Sequence, residues 1–291
     1  MPQYIATIGF FDGVHRGHRY LLDFLKQSSD GLQTAVVTFK EHPQKVLQNA
    51  TVPLLTTHEE RIKLLEQQNL SLIKIYPFAE IAALRAEEFM AKLHSWGVRK
   101  LVLGYNHTFG SDGKTANYDE LGQKIGIEIV RFNELQSDLH ISSSQIRKYL
   151  LAGEMEKANH CLGYSYTLNG TVVKGFGQGH TIGFPTANLS IPAEKLQPCD
   201  GVYAVECQLD DQPQKTYKGI MNIGQNPTFE HKKRSIEIHI IDFNSNIYDK
   251  QITVKMLHYI RPEKKFENTA ELKQQIEKDL AQAIAKMPKW Q

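Results

Sequence analysis

His15 and His18 flank Gly17 inside the run GFFDGVHRGH, from Gly9 to His18. The stretch Tyr4 to Ile8 before it is apolar and β-prone, and Leu21, Leu22 and Leu25 recur at helical spacing after it. The run therefore falls where a strand passes into a helix. A helix start offers unpaired N–H groups and a partial positive charge to an anion. Gly17 lets the backbone approach a phosphate, and two imidazoles one turn apart can donate to phosphate oxygens as charge builds during attack on phosphorus. A corner of this make suits nucleotidyl transfer. The plainer reading, two histidines that cap a helix, is weighed against what the rest of the chain adds.

The elements that must position this corner alternate. Strands are expected at Tyr4 to Ile8, Thr34 to Phe39, Leu72 to Tyr76, Leu101 to Leu103 and Glu128 to Val130. Helical patterns lie around Leu21 to Lys26, Glu59 to Gln68, Ala86 to Trp96, Asp119 to Ile125 and Ser142 to Leu151. Such an order predicts a parallel sheet with crossover helices, and ligands of such sheets bind outside the carboxyl ends of the strands. After Ala152-Gly153 the rhythm changes to short strands and turns: Tyr166 to Val173, Gly201 to Gln208, Lys215 to Ile223, Ser235 to Ile241 and Gln251 to Ile260. Closely spaced strands predict a compact antiparallel barrel. A last helix is expected behind Asn268 and Glu271, an N-cap and capping-box pair, with Leu272, Ile276, Leu280 and Ile284 on one apolar face. The expected domains are 1–155 and 156–291.

Composition agrees with two cores. The 291 residues are 41% hydrophobic and 23% charged, so neither disorder nor a membrane protein is indicated. The net charge of +2 makes no electrostatic case for nucleic acid. The N-terminus lacks the pattern of a signal peptide, and Cys161, Cys199 and Cys207 have no metal-ligand spacing, so cytoplasmic residence and inert thiols are expected.

FDGVHRGH resembles the signature of nucleotidyltransferases in the bacterial bifunctional riboflavin kinase / FMN adenylyltransferase family, often called FAD synthetases. Three further segments of the first half are similar to that family: TFKEHP (Thr38 to Pro43), LGYNHTFG (Leu103 to Gly110) and ISSSQIR (Ile141 to Arg147). The resemblance implies a Rossmann-like nucleotidyltransferase domain in which Gly9, Phe10, Asp12, Gly17, Asn106, Ser142, Ser143 and Ser144 bind ATP and its phosphates. His42 and Pro43 would face the flavin. His15, His18 and Arg147 would stabilise attack by an FMN phosphate oxygen on the α-phosphorus of ATP, with magnesium offsetting phosphate charge. Departures from the pattern are Glu41 before the His-Pro pair, where relatives carry Pro, and His107, where relatives often carry an aromatic.

The second half carries GTVVKGFGQGHTIGFPTANL, Gly170 to Leu189, which resembles riboflavin kinases. Gly175, Gly177 and Gly179 allow backbone amides to approach phosphates. The resemblance implies a riboflavin kinase-like β-barrel in which Thr186 and Asn188 bind ATP and Mg²⁺, hard oxygen donors of the kind that ion takes. Glu237, in RSIEIHIIDF, would be the base that removes the proton of the riboflavin 5′-hydroxyl. GVYA (Gly201 to Ala204) and MNIGQNPTF (Met221 to Phe229) also match, so Gly201, Val202, Tyr203 and Asn222 are expected at the flavin. His180 departs from the Arg of many relatives.

SDGKT, Ser111 to Thr115, imitates part of a P-loop, but Thr108 occupies the leading glycine position. Lys286 to Lys289 only faintly resembles a synthetase motif. Small-molecule flavins and ATP are the expected partners, with neither nucleic acid nor membrane. The chain is expected to phosphorylate riboflavin and then adenylylate FMN; the alternatives are a single live activity or a flavin-binding regulator.

Overall fold

The computed structural model describes residues 2–104, 107–133, 140–175, 179, 182–225 and 234–287. The chain forms two compact units, Met1–Ser143 and Ser144–Gln291. In the first, β1 (Tyr4–Ile8), β2 (Gln33–Phe39), β3 (Leu72–Tyr76), β4 (Val98–Gly104) and β5 (Glu128–Phe132) make one sheet in the order β3-β2-β1-β4-β5. All its pairings are parallel. Between the strands lie α1 (Arg16–Gln27), α2 (Pro43–Gln48), α3 (His58–Glu66), α4 (Phe78–Ala82), α5 (Ala86–Ser95) and α6 (Tyr118–Ile125).

The strands read as nearly unbroken apolar runs because helices cover both faces. Ile5, Val36 and Val102 pack with Leu22 and Leu25 of α1 and Leu65 of α3. On the other face Ala6, Ile8, Val37 and Leu101 meet Phe89, Met90 and Leu93 of α5. Each large side chain so buried contributes roughly 2 kcal/mol. The strand order reverses at β1, which has β2 on one side and β4 on the other. Gly9 to His18 leaves β1 at that switch point, where open α/β sheets take ligands.

The second unit begins in α7 (Ser143–Leu151) and continues through α8 (Met155–Leu162). It closes β6 (Thr167–Val173), β7 (Ala187–Ser190), β8 (Gly201–Leu209), β9 (Tyr217–Gln225), β10 (Arg234–Ile240) and β11 (Gln251–Arg261) into a barrel of order β10-β7-β6-β11-β8-β9. Its pairings are antiparallel, and closure leaves no open sheet edge. The expected boundary at 155/156 lies at the head of α8, whereas the compact units part at 143/144. Both connecting helices are bonded to the barrel half: Cys199 N–H donates to Leu150 O at 3.2 Å, and Asn159 Nδ2 donates to Met256 O at 2.9 Å. The sequence reading missed α8, a helix set between Gly153 and Gly163, both with positive φ.

Helix α9 (Thr269–Lys286) ends the described chain. Asn268 caps it as expected, accepting from Glu271 N–H at 2.9 Å. The apolar face differs from expectation by one step. Ile276, Leu280, Ala283 and Met287 meet Val202, Ala204 and Ile220 of the barrel. Ile284 is 48% exposed, because the 3.6-residue turn carries it off the 276-280-283-287 stripe. Arg261, at the end of β11, reaches both carboxylate oxygens of Asp279 on α9 at 2.8–3.0 Å, and Asp279 is buried. No helix among the described residues is long and apolar enough to cross a membrane.

Removing one partner of a buried ion pair strands the other charge. Asp279→Ala is therefore expected to destabilise α9 on the barrel by about 3 kcal/mol. Faster hydrogen exchange at the β8, β9 and β11 amides, with the β1–β5 sheet unchanged, is the readout.

Candidate active sites

The first site is a strained loop held by buried anchors. Between β1 and α1 the backbone takes positive φ at Phe11 (59°), Gly13 (79°) and Val14 (36°), a region costly for bulky and β-branched side chains. Phe11 and Val14 are both buried in the α1 face of the core, and that burial offsets the strain. Asp12 locks the turn. Its carboxylate accepts from Leu55 N–H (3.0 Å), Thr56 N–H (3.0 Å) and the Thr56 hydroxyl (3.1 Å). Gly13 N–H donates to Thr56 Oγ1 at 3.0 Å, and the Ser143 hydroxyl donates to Asp12 O at 2.9 Å. Asp12, expected among the phosphate groups, is 3% exposed, and its bonds with Leu55 and Thr56 tie the loop to that segment.

His15 is the N-cap of α1, and its Nδ1 accepts from His18 N–H at 3.3 Å. An accepting Nδ1 puts the proton of a neutral ring on Nε2, the nitrogen left to donate. The His15 and His18 rings stack with centroids 3.6 Å apart and planes 14° from parallel. A Cβ on Gly17 would lie 3.3 Å from the His15 ring, so glycine gives that ring its place. His18 Nδ1 is buried without a partner among the described residues. Burial, and then the facing His15, hold the His18 imidazole well below its ordinary 6.5. The pair is thus a ring stack at a helix start, with burial favouring the neutral form of His18.

Around this corner Gly9 N–H donates to Val37 O at 3.0 Å, tying the loop to β2. Phe10 is half-buried and meets the His42 ring edge-on at 4.7 Å. His42 caps α2, accepting from Gln44 N–H at 3.2 Å, and Pro43 is the first residue of that helix. Glu41, before the His-Pro pair, accepts from Phe78 N–H at the start of α4. His107 Nε2 is buried without a partner among the described residues, and burial lowers its pKa. Ser142 precedes α7, and Ser144 and Arg147 lie on it, in the second unit. Asn106 falls outside the described residues. The P-loop imitation SDGKT is structural: Asp112 accepts from Ala86 N–H at the head of α5 and from Arg85 Nε.

In the barrel, strand register assembles the second site. Glu237 on β10 lies opposite Asn188 of β7 and Asn222 of β9, and Asn222 lies opposite Val202 of β8. Four strands thus deliver one row. The Thr186 hydroxyl donates to Glu237 Oε2 at 3.4 Å, and Ser235 Oγ donates to Oε1 at 3.4 Å. A Cβ on Gly175 would overlap the Asn188 amide, so glycine there makes room for that side chain. Glu237, Thr186, Asn222, Val202 and Gly179 line a cavity of about 410 Å³ closed on one side by Arg261 and α9. A second cavity, about 350 Å³, is lined by Pro185, Ala187, Ile240, Phe243, Ile247 and Tyr248 and shares Thr186 with the first.

Gly201 and Tyr203, expected at the flavin, are not among the residues that line either cavity. Tyr203 is 0% exposed, with its hydroxyl donating to Cys199 O at 2.5 Å. Gly201, at φ 152°, is where the Tyr259 ring comes close to the backbone. Strand alternation puts Val202 on the cavity and its two neighbours on the opposite face. Gly177 and His180 lie outside the described residues, as do Pro288 and Lys289. The sequence reading missed Arg261, Lys264 and Phe266, which line the larger cavity; their signal was the RPEKKF run that begins with the last residue of β11. None of the three cysteines is in a disulfide, and burial pushes the Cys207 thiol up to about 12.

A family model described as FAD synthetase matches residues 2–145, and one described as riboflavin kinase matches residues 162–287. A bifunctional riboflavin kinase/FMN adenylyltransferase of Bacillus subtilis (strain 168) is 37% identical over 292 residues, covering 96% of this chain and 91% of the relative. One of Listeria monocytogenes serovar 1/2a is 36% identical, covering 94% of this chain and 90% of the relative. A crystal structure described as a macrolide-efflux protein from Streptococcus pneumoniae superposes with a TM-score of 0.87 at 29% identity, over 100% of this chain and 96% of that one. Both halves of the sequence thus find relatives of one kind, and the chain belongs to the bifunctional riboflavin kinase/FMN adenylyltransferase family.

Proposed function

We propose residue roles for the two steps of this family, ATP-dependent phosphorylation of riboflavin to FMN and adenylylation of FMN to FAD with release of pyrophosphate. The observation that carries the kinase assignment is that Thr186 lines two cavities at once. Glu237 stands in the larger one, so the hydroxyl to be deprotonated enters there and the nucleotide takes the other, with its γ-phosphate at Thr186. Glu237 accepts the 5′-hydroxyl proton as that oxygen bonds to the γ-phosphorus and ADP leaves. Phe184 and Phe266 give the flat ring system apolar contacts, and Asn222 a polar one.

Mg²⁺, when bound with the nucleotide, offsets phosphate charge. The residues fit it: a hydroxyl (Thr186), an amide oxygen (Asn188) and a carboxylate (Glu237) share one wall, and all are hard donors. Thr186 and Asn188 would hold it, with phosphate oxygens and water completing the set.

In the first unit an FMN phosphate oxygen attacks the α-phosphorus of ATP and pyrophosphate departs. His15 and His18 donate to the phosphate oxygens, and the α1 start adds its amides. The roles of Asn106, Ser142, Ser144 and Arg147 rest on the sequence pattern. Cytoplasmic residence belongs to the same reading and is favoured by three cysteines that form no disulfide.

Glu237→Gln is expected to lower riboflavin phosphorylation by about 10² or more while FAD still forms from added FMN. His18→Ala is expected to do the reverse, with a loss of about 10² in adenylylation. Chromatography of FMN and FAD after incubation with ATP and Mg²⁺ reads both; loss of both activities in either folded variant would contradict separate sites.

The His18 shift also fixes a pH dependence. Below about pH 6.5 the unfolded chain takes up a proton that native His18 refuses, so stability is full above that pH and falls as acid is added. His18→Gln should therefore lose less thermal stability than the wild type between about pH 7.5 and pH 5.5, as measured by circular dichroism.

A further inference from the structure

Arg61, on α3, is the one charged side chain among the described residues that is 0% exposed. Its Nη2 donates to Phe39 O, at the carboxyl end of β2, at 2.6 Å, and lies 3.3 Å from His58 Nδ1. Nε and Nη1 are buried with no partner among the described residues. Burial lowers the guanidinium to about 10, although Asp12 favours its charge. Asp12 itself is bonded to Leu55 and Thr56. A buried cation with unmet donors is costly, and a packed apolar residue of similar volume is often as good for stability or better. Arg61 stands one turn before Leu65 on the core-facing side of α3, where an apolar residue would serve packing alone.

The guanidinium accomplishes one thing besides holding Phe39 O. Its carbon lies 3.9 Å from the centroid of the Phe10 ring, a face-on cation–π contact in a desolvated setting. The ring is also met edge-on by His42 at 4.7 Å, and Phe10 O accepts from the Thr38 hydroxyl at 3.2 Å. Phe10 is thereby fixed in side chain and main chain while remaining half-buried. It follows β1, Phe39 ends β2 and His42 caps α2, so the group sits at the carboxyl end of the sheet on the β2 side of β1. The switch-point crevice, which takes the nucleotide, is on the β4 side. The Phe10 ring therefore borders the space left for the acceptor.

We propose that Arg61 is a positioning residue for adenylyl transfer: its buried guanidinium holds the Phe10 ring, braced by His42, as the wall against which the flat ring system of FMN rests. The inference rests on the adenylyltransferase reading above. Arg61 touches no substrate and acts through Phe10.

The test is steady-state FAD formation from FMN and ATP by the full chain, with riboflavin phosphorylation by the same preparations as control. Arg61→Lys keeps the charge and loses the plane; Phe10→Leu removes the ring; Phe10→Tyr keeps it. Arg61→Lys and Phe10→Leu should each raise KM for FMN about fivefold, the size of one desolvated stacking contact, with kcat and KM for ATP within about twofold. Phe10→Tyr, which keeps the ring, should raise KM for FMN less than Phe10→Leu does, and the Arg61→Lys/Phe10→Leu double variant should be no worse than the poorer single one. Unchanged KM for FMN in Phe10→Leu, or a rise in KM for ATP instead, overturns the inference. Should Arg61→Lys fail to fold, Phe10→Leu and Phe10→Tyr decide it, since a half-buried ring tolerates exchange. A wild-type chain that makes no FAD from FMN overturns the underlying reading as well, an outcome distinct from an unchanged KM.

Discussion

A buried carboxylate, Asp12, holds together the part of the first unit on which its chemistry depends. The chain leaves β1, turns through two left-handed positions that Phe11 and Val14 tolerate only because they are buried, and must arrive at α1 with His15 as its cap. Bonds from Asp12 to Leu55 and Thr56 tie that turn to the segment entering α3. With the turn fixed, His18 N–H reaches His15 Nδ1 and the two rings stack over Gly17. Burial there favours the neutral form of His18. Preorganised donors of this kind need no rearrangement when charge develops.

The barrel solves its own positioning problem by register. Asn188, Glu237, Asn222 and Val202 come from β7, β10, β9 and β8, and a one-residue slip in any of these strands would turn its member of the row to the other face. Closure makes such slips costly, because every strand is paired on both sides. Helix α9 then covers the open wall of the larger cavity, held by an apolar stripe and by the Arg261–Asp279 pair. Thr186, at the shared edge of two cavities, is where a group could pass from one bound molecule to the other.

Much of this was legible in the order of residues. Tyr4 to Ile8 and Leu72 to Tyr76 are strands with the limits that apolar patterning gives them, and the change of rhythm after Gly153 does announce a barrel. His15 and His18 could be named from their types and local spacing, and Thr186, Asn188 and Glu237 from the family resemblance of the segments that hold them. Local signals also misled. The stripe 272-276-280-284 obeys a period of four, and the true helical period moves the buried face to Ala283 and Met287, leaving Ile284 outside. Tyr203 sits in a segment that matches flavin-site relatives, yet strand alternation turns it into the barrel.

What the sequence by itself determined was the inventory: which residues can donate, accept or bind a hard cation, and which runs are strand or helix, since these follow from side-chain chemistry and short-range periodicity. Tertiary structure decided which of those residues are free to meet a substrate. Asp12 and Arg61 are both charged, and nothing within a few residues of either says that one will bond to Thr56 and the other will lie beneath Phe10. Their environments come from segments about 43 and 51 residues away, brought near by sheet order and helix packing. Burial is a property of the assembled fold, and burial sets whether a charge shapes a loop, backs an aromatic wall or remains available for chemistry.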